Sequence, residues 1–208
     1  ALIVASALPP NDPFYQELQE EDLPVIAVDR SQSPGVISCV VSDNRKGAAT
    51  LARSVLEPGT GSVVWLDAVP ALAMTRERRE GFEEVARSRS GQWAVYSGEH
   101  YDRASGARLM QQVLADQGLP DALITASYTL LQGVLDVLLE QPGGLPQSLR
   151  MATFGDDRLL DFLPVKVHSL PQKHEAIAEA TLDRALAAIA GHGEPETVII
   201  NRSLKRRR

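Results

Sequence analysis

The sequence is short of cysteine, of positive charge and of long apolar runs, and each shortage excludes something. Cys39 is the only cysteine, which rules out an internal disulfide and a cysteine-rich zinc site. It lies in the apolar run Val36-Ile37-Ser38-Cys39-Val40-Val41 and is expected to pack as a small hydrophobe. Lys and Arg number 21 against 27 Asp and Glu, a formal net charge of -6, so bulk electrostatics do not favour nucleic acid as a direct partner. No apolar run approaches the roughly 18 residues that cross a bilayer, and no membrane partner is expected. No basic leader precedes the strand-like Ala1-Leu2-Ile3-Val4-Ala5-Ser6, which points to a cytoplasmic protein and to a fragment of a longer chain. There is also no Gly-x-Gly-x-x-Gly, no P-loop and no Gly-x-Ser-x-Gly elbow. The four histidines, His100, His168, His174 and His192, form no pair at metal-ligand spacing. Neither an enzyme, nor a metal site, nor a cofactor is expected.

What is present reads as an ordinary globular chain. Hydrophobic residues make up 44% and charged residues 23% of 208, enough for one large domain or two small ones. Apolar runs at 1–6, 23–28, 36–41, 62–66, 92–96, 121–126, 151–154, 165–170 and 197–201 read as strands. Between them lie helical patterns at 13–22, 44–56, 75–89, 103–117, 129–140 and 173–190. Asp12 and Asp43 or Asn44 are candidate N-caps, and Pro13 suits a first helical position. In the helix at 44–56, Ala48, Leu51, Ala52, Val55 and Leu56 recur at helical offsets. In the last helix Ala178, Leu182, Ala185, Leu186 and Ile189 are expected to share one side. Strands that are continuously apolar and alternate with helices signify parallel sheets covered on both faces. The fold class is α/β.

The chain is organised around Met151-Ala152-Thr153-Phe154-Gly155-Asp156-Asp157 and the following Arg158 to Pro164. A short apolar strand stops on a glycine that permits a tight turn, then exposes two carboxylates. In open α/β sheets ligands collect beyond the carboxyl ends of strands, so Asp156 could grip the hydroxyls of a small polar molecule. The alternative is a turn with solvated aspartates. Asp157, its neighbour, is expected to face away.

Several stretches together resemble one family, the effector-binding domains of LacI/GalR-type transcriptional regulators. They are Leu23-Pro24-Val25-Ile26-Ala27-Val28-Asp29-Arg30, Asp43-Asn44-Arg45-Lys46-Gly47-Ala48-Ala49 and Arg76-Glu77-Arg78-Arg79-Glu80-Gly81-Phe82. Leu119 to Gly133, with its Ser127-Tyr128-Thr129-Leu130-Leu131-Gln132-Gly133, and Thr153 to Pro164 are most similar to the fructose-repressor branch. The resemblance covers essentially the whole chain. It implies two Rossmann-like, periplasmic-binding-protein-like subdomains joined by three crossovers, with an effector in the cleft between them. The N-subdomain would comprise 1–41 plus 172–201 and be partial; the C-subdomain would comprise 42–171 plus 202–208. The DNA-binding headpiece is absent from this chain.

The resemblance also implies a set of effector contacts. Arg78 would reach the ligand from the first turn of its helix, a rigid fork for two oxygens; the alternative is a solvated arginine among Arg76 and Arg79. Asp29 and Arg30, ending a strand, suit a hydroxyl and a phosphate, or form a local ion pair. Tyr101 would lie over the sugar ring, or be a half-buried tyrosine with a wet hydroxyl. Ser127 and Gln172 complete the set with Asp156. The implied effector is fructose 1-phosphate or a related sugar phosphate. Operator DNA would be met only through the headpiece, and a homodimer or dimer of dimers is implied. A solute-binding protein of a sugar transporter shares the fold and is the alternative function. The basic end Lys205-Arg206-Arg207-Arg208 reads as a solvated tail.

Overall fold

The computed structural model describes residues 1–5, 13–20, 23–29, 37–191 and 194–207, with backbone alone at 15, 16, 19 and 20. The expected cap Asp12 and the site residue Arg30 lie outside the described residues. The chain forms two compact units. The first comprises Ala1–Asp43, Leu72–Met74 and Gln172–Arg202; the second comprises Asn44–Ala71, Thr75–Pro171 and Ser203–Arg208.

The first unit holds a parallel four-stranded sheet. Its strands are β1 (Leu2–Val4), β2 (Val25–Val28), β3 (Ser38–Ser42) and β9 (Thr197–Ile200), in the order β1-β2-β3-β9. Alternate residues leave opposite faces. Val25, Ala27, Cys39 and Val41 pack with Phe14 and Leu18 of α1 (Pro13–Glu20). Ile26 and Val40 face Ile177 and Ala185 of α6 (His174–Ile189). Cys39 is 1% exposed, an inert hydrophobe as its run suggests. The inner track of α6 is Ile177, Thr181, Ala185 and Ala188, whereas Leu182, Leu186 and Ile189 are exposed. The helix carries two apolar tracks, and the sheet takes the one whose small residues allow a close approach.

The second unit is a parallel five-stranded sheet in the order β5-β4-β6-β7-β8. The strands are β4 (Ser62–Ala68), β5 (Gln92–Gly98), β6 (Ala122–Thr125), β7 (Arg150–Phe154) and β8 (Val167–Leu170). On one face Val63, Trp65, Ile124, Ala152 and Phe154 meet α2 (Asn44–Val55) and α3 (Ala73–Arg87). Phe82 stacks on Trp65 with ring centroids 5.2 Å apart. On the other face Val64, Leu66, Leu123 and Met151 meet α4 (Arg103–Gln117) and α5 (Tyr128–Leu139). Both faces are thus covered, which is why these strands read as unbroken apolar runs. The stretch after Asp156 contains a 3-10 helix at Arg158–Phe162, capped by the Asp157 carboxylate accepting from the Leu159 N–H at 2.8 Å.

Candidate functional site

The parallel register brings the carboxyl ends of all five strands of the second unit to one edge. Asp67 and Ala68 end β4, Ser97 and Gly98 end β5, Ala126 follows β6, and Gly155 and Asp156 follow β7. Four of the expected site residues, Arg78, Tyr101, Ser127 and Asp156, stand at or just beyond this edge.

Arg78, on the second turn of α3, is not a solvated member of a charge run: it is 7% exposed. Its Nε donates to Asn44 Oδ1 at 2.9 Å and its Nη1 to the Ala126 carbonyl at 2.7 Å. The guanidinium carbon lies 4.1 Å from the centroid of the Phe154 ring, a cation–π contact. Asn44, proposed from sequence as a helix cap, instead uses its side chain as an orienting group, donating through Nδ2 to Glu77 Oε2 at 2.9 Å. The plane of the arginine fork is therefore fixed from three elements. The close approach of α3 to α2 that permits this requires Gly81, where a Cβ would stand 2.0 Å from the Arg45 carbonyl oxygen.

Tyr101 is also held. Its hydroxyl is 2.8 Å from Thr75 Oγ1, and Thr75 donates to the Ala68 carbonyl at 2.9 Å. Burial, partly offset by the Thr75 hydrogen bond, pushes the phenol above its usual range, so it is a neutral group near pH 7. Ser127 begins α5 as its N-cap, with Oγ accepting from the Leu130 N–H at 3.2 Å. Thr129 joins the two, 2.8 Å from Ser127 Oγ and donating to the Tyr101 carbonyl at 3.1 Å.

Asp156 sits after Gly155, whose φ of 84° is the left-handed conformation that glycine tolerates best. Its carboxylate is engaged with the basic end of the chain. Ser169 Oγ donates to Oδ1 at 2.7 Å, Arg207 Nη2 to Oδ1 at 2.5 Å, and Lys205 Nζ to Oδ2 at 3.2 Å. Burial pushes this carboxyl up, but the Arg207, Ser169 and Lys205 hydrogen bonds outweigh it and hold it below the usual aspartate range. The tail is thus not a wholly solvated one: the Arg207 side chain is 8% exposed and also bonds Asp161 at 2.7 Å, while Arg206 stays exposed. A charge run reads as an exposed face only when no counter-charges await it, and Asp156 and Asp161 were waiting far away in sequence.

In the first unit Asp29 and Gln172 are brought together. Gln172 Nε2 donates to Asp29 Oδ2 at 2.8 Å, and Gln172 Oε1 accepts from Arg202 Nη2 at 3.0 Å. Asp29 has φ 58°, a conformation that aspartate tolerates better than most residues. Burial lowers the Arg202 pKa, against the pull of Asp29 and Asp43.

Sequence reasoning passed over Asp67 and Thr75. Asp67 is fully buried, accepting from Arg79 Nε and Nη2 at 3.0 and 2.8 Å and from Trp65 Nε1 at 3.0 Å. A lone carboxylate ending the apolar run Val63 to Leu66 was the available signal. Val69 follows at φ 49°, an outlier for a β-branched residue. No group of three or more His, Cys, Asp or Glu that could hold a metal occurs among the described residues.

A sequence profile described as periplasmic binding proteins and sugar binding domain of LacI family matches residues 1–145. The chain belongs to this family. It is 45% identical over 205 residues to the fructose operon regulatory protein of Vibrio cholerae, covering 99% of this chain and 63% of that protein. It is 35% identical over 209 residues to the catabolite repressor/activator of Escherichia coli, covering 100% of this chain and 63% of that protein. The chain therefore spans 63% of the length of these curated relatives. Among solved structures, the Cra transcriptional dual regulator from Pseudomonas putida in complex with fructose 1-phosphate matches with a TM-score of 0.95 at 44% identity. That match covers 100% of this chain and 77% of the other. The fold is thus the LacI-family pair of parallel α/β units, and the fructose-repressor resemblance stands. The relatives are named as regulators and not as enzymes, in line with the missing catalytic motifs.

Proposed function

We propose that this chain is the effector-sensing part of a transcriptional regulator and that its effector is a phosphorylated fructose, fructose 1-phosphate first. The observation that carries the reading is the pre-set Arg78 fork, in a chain 44% identical to a regulator solved with fructose 1-phosphate. Arg78, Tyr101, Ser127 and Asp156 supply the contacts of the second unit, with Asn44 as the residue that holds Arg78. Asp29, Arg30 and Gln172 supply those of the first. A guanidinium held by hydrogen bonds needs little reorganisation to meet two oxygens of a phosphate or diol, and a carboxylate accepts from sugar hydroxyls. A neutral, half-buried Tyr101 offers a ring face for the apolar side of the sugar.

In the full-length protein the effector would act on operator affinity through a headpiece, in a homodimer or dimer of dimers. It can shift that affinity only by its differential affinity for the two states of the regulator, typically about 5–150-fold. Calorimetry with fructose 1-phosphate tests the effector directly. Arg78→Lys keeps the charge but loses the fork, and is expected to weaken binding by about tenfold or more. No heat with fructose 1-phosphate or fructose 1,6-bisphosphate, or unchanged affinity in Arg78→Lys, would reject the assignment.

A further inference from the structure

The amino end of the five-stranded sheet carries a cavity of its own, of about 340 Å³. It lies where α2 ends, β7 begins and the chain enters β8, so it is at the opposite edge from Arg78. Its charged lining is Glu57, Arg150 and Lys166, its polar lining includes His168, Ser54 and Gln147, and its walls include Leu149 and Val165.

Arg150 gives the cavity its chemistry. Its Nη1 donates to Glu57 Oε2 at 2.9 Å, but its Nε is buried without a hydrogen-bond partner among the described residues. An unmet buried donor on a charged group is costly and calls for an acceptor. Glu57 does not neutralise the site fully, because its side chain is 66% exposed and such pairs are weak. His168 accepts the Arg207 N–H at Nδ1, 3.2 Å away, so in its neutral form the proton sits on Nε2 and that nitrogen is a donor. Burial first, then the charges of Arg206, Arg207 and Lys166, keep His168 below the usual imidazole range, against the pull of Glu57. The local field is therefore positive, in a chain whose net charge is negative.

We propose that this cavity is a second small-molecule site, taking an oxyanion: free phosphate or the phosphate group of a small metabolite. A small turn of the partly exposed Arg150 side chain brings Nε and Nη2 to the anion as a fork, Lys166 adds a point charge, and His168 Nε2 donates a third hydrogen bond. Leu149 and Val165 receive whatever carbon skeleton the anion carries. The site shares no residue with the effector edge, so it stands or falls independently of the function proposed above.

The test is a titration of the ¹⁵N-labelled 208-residue chain with inorganic phosphate and, separately, glycerol 3-phosphate. Saturable shifts are expected at Glu57, Arg150 and Lys166, including the Arg150 Nε–H signal. Saturation by both probes or by phosphate alone marks a free-ion site; saturation by glycerol 3-phosphate alone marks a metabolite site, and either supports the proposal. Lys166 is exposed, so Lys166→Glu leaves the fold intact. It is expected to weaken binding about tenfold or more, while shifts at Arg78 and Ser127 induced by fructose 1-phosphate stay unchanged. Arg150→Gln should do the same. Shifts that never saturate, or that are indifferent to Lys166→Glu, overturn the proposal.

Discussion

The seam between α4 and α5 sets where Ser127 and Tyr101 stand, and it closes only because two glycines face the opposing backbone. A Cβ on Gly133 would lie 1.9 Å from the Arg103 carbonyl oxygen and 2.4 Å from the Ala107 nitrogen. A Cβ on Gly106 would lie 2.1 Å from the Leu130 carbonyl oxygen. These are backbone atoms, so no side chain can swing aside. Restoring ordinary contact of about 3.5 Å requires the helices to part by about 1.6 Å at Gly133. That opens the layer of Leu109, Met110, Val113, Leu130 and Val134 packed between them and the sheet. Alanine recovers up to about 1 kcal/mol of helix propensity over glycine, against an overpacking cost at or above the upper end of about 1–3 kcal/mol. Gly133→Ala is therefore expected to destabilise the chain by about 2–3 kcal/mol, a fall of very roughly 4–12 °C in Tm for a chain of this size. Urea unfolding followed by far-UV circular dichroism measures it. The double variant with Gly106→Ala should cost less than the sum of the singles, because one separation relieves both clashes. A Gly133→Ala protein as stable as the parent would show that α4 and α5 are not in backbone contact, and the argument for how Ser127 is placed would go with it.

Two further outcomes follow from charge and strain. Asp156 and Asp161 are both held below the ordinary aspartate range, Asp156 because the Arg207, Ser169 and Lys205 bonds outweigh its burial and Asp161 by the Arg207 and Lys205 bonds. Their contribution is present above the unfolded value of about 3.9 and is lost as pH falls through the lower folded values. Arg207→Met should flatten the dependence of stability on pH below about 5, read from urea midpoints at several pH values; an unchanged slope would detach the tail from Asp156. Val69 stands at φ 49°, which costs a non-glycine residue about 1–2 kcal/mol. Val69→Gly should thus be neutral or stabilising by up to about 1 kcal/mol in spite of the lost side chain, and a loss of more than that would mean that packing of the valine outweighs its strain.

The architecture was legible because parallel sheets covered on both faces leave a periodic imprint. The alternation of apolar runs and helical patterns led to fifteen strands and helices whose observed bounds lie within a few residues of those expected. The family resemblance singled out Arg78, Tyr101, Ser127 and Asp156, which the fold gathers at one sheet edge; it also named Asp29 and Gln172, but not the hydrogen bond that joins them across 143 positions. Contacts that join residues far apart in sequence left no such imprint. That Asn44 orients Arg78 across 34 positions, that Arg207 reaches Asp156 across 51, and that α6 turns Ile177 rather than Leu182 inward were decided by packing. Periodicity is a property of one element at a time, written in its own residues. The choice of partner for a buried charge or a helix face depends on which groups the folded chain brings within about 3 Å, and only the tertiary structure settles that.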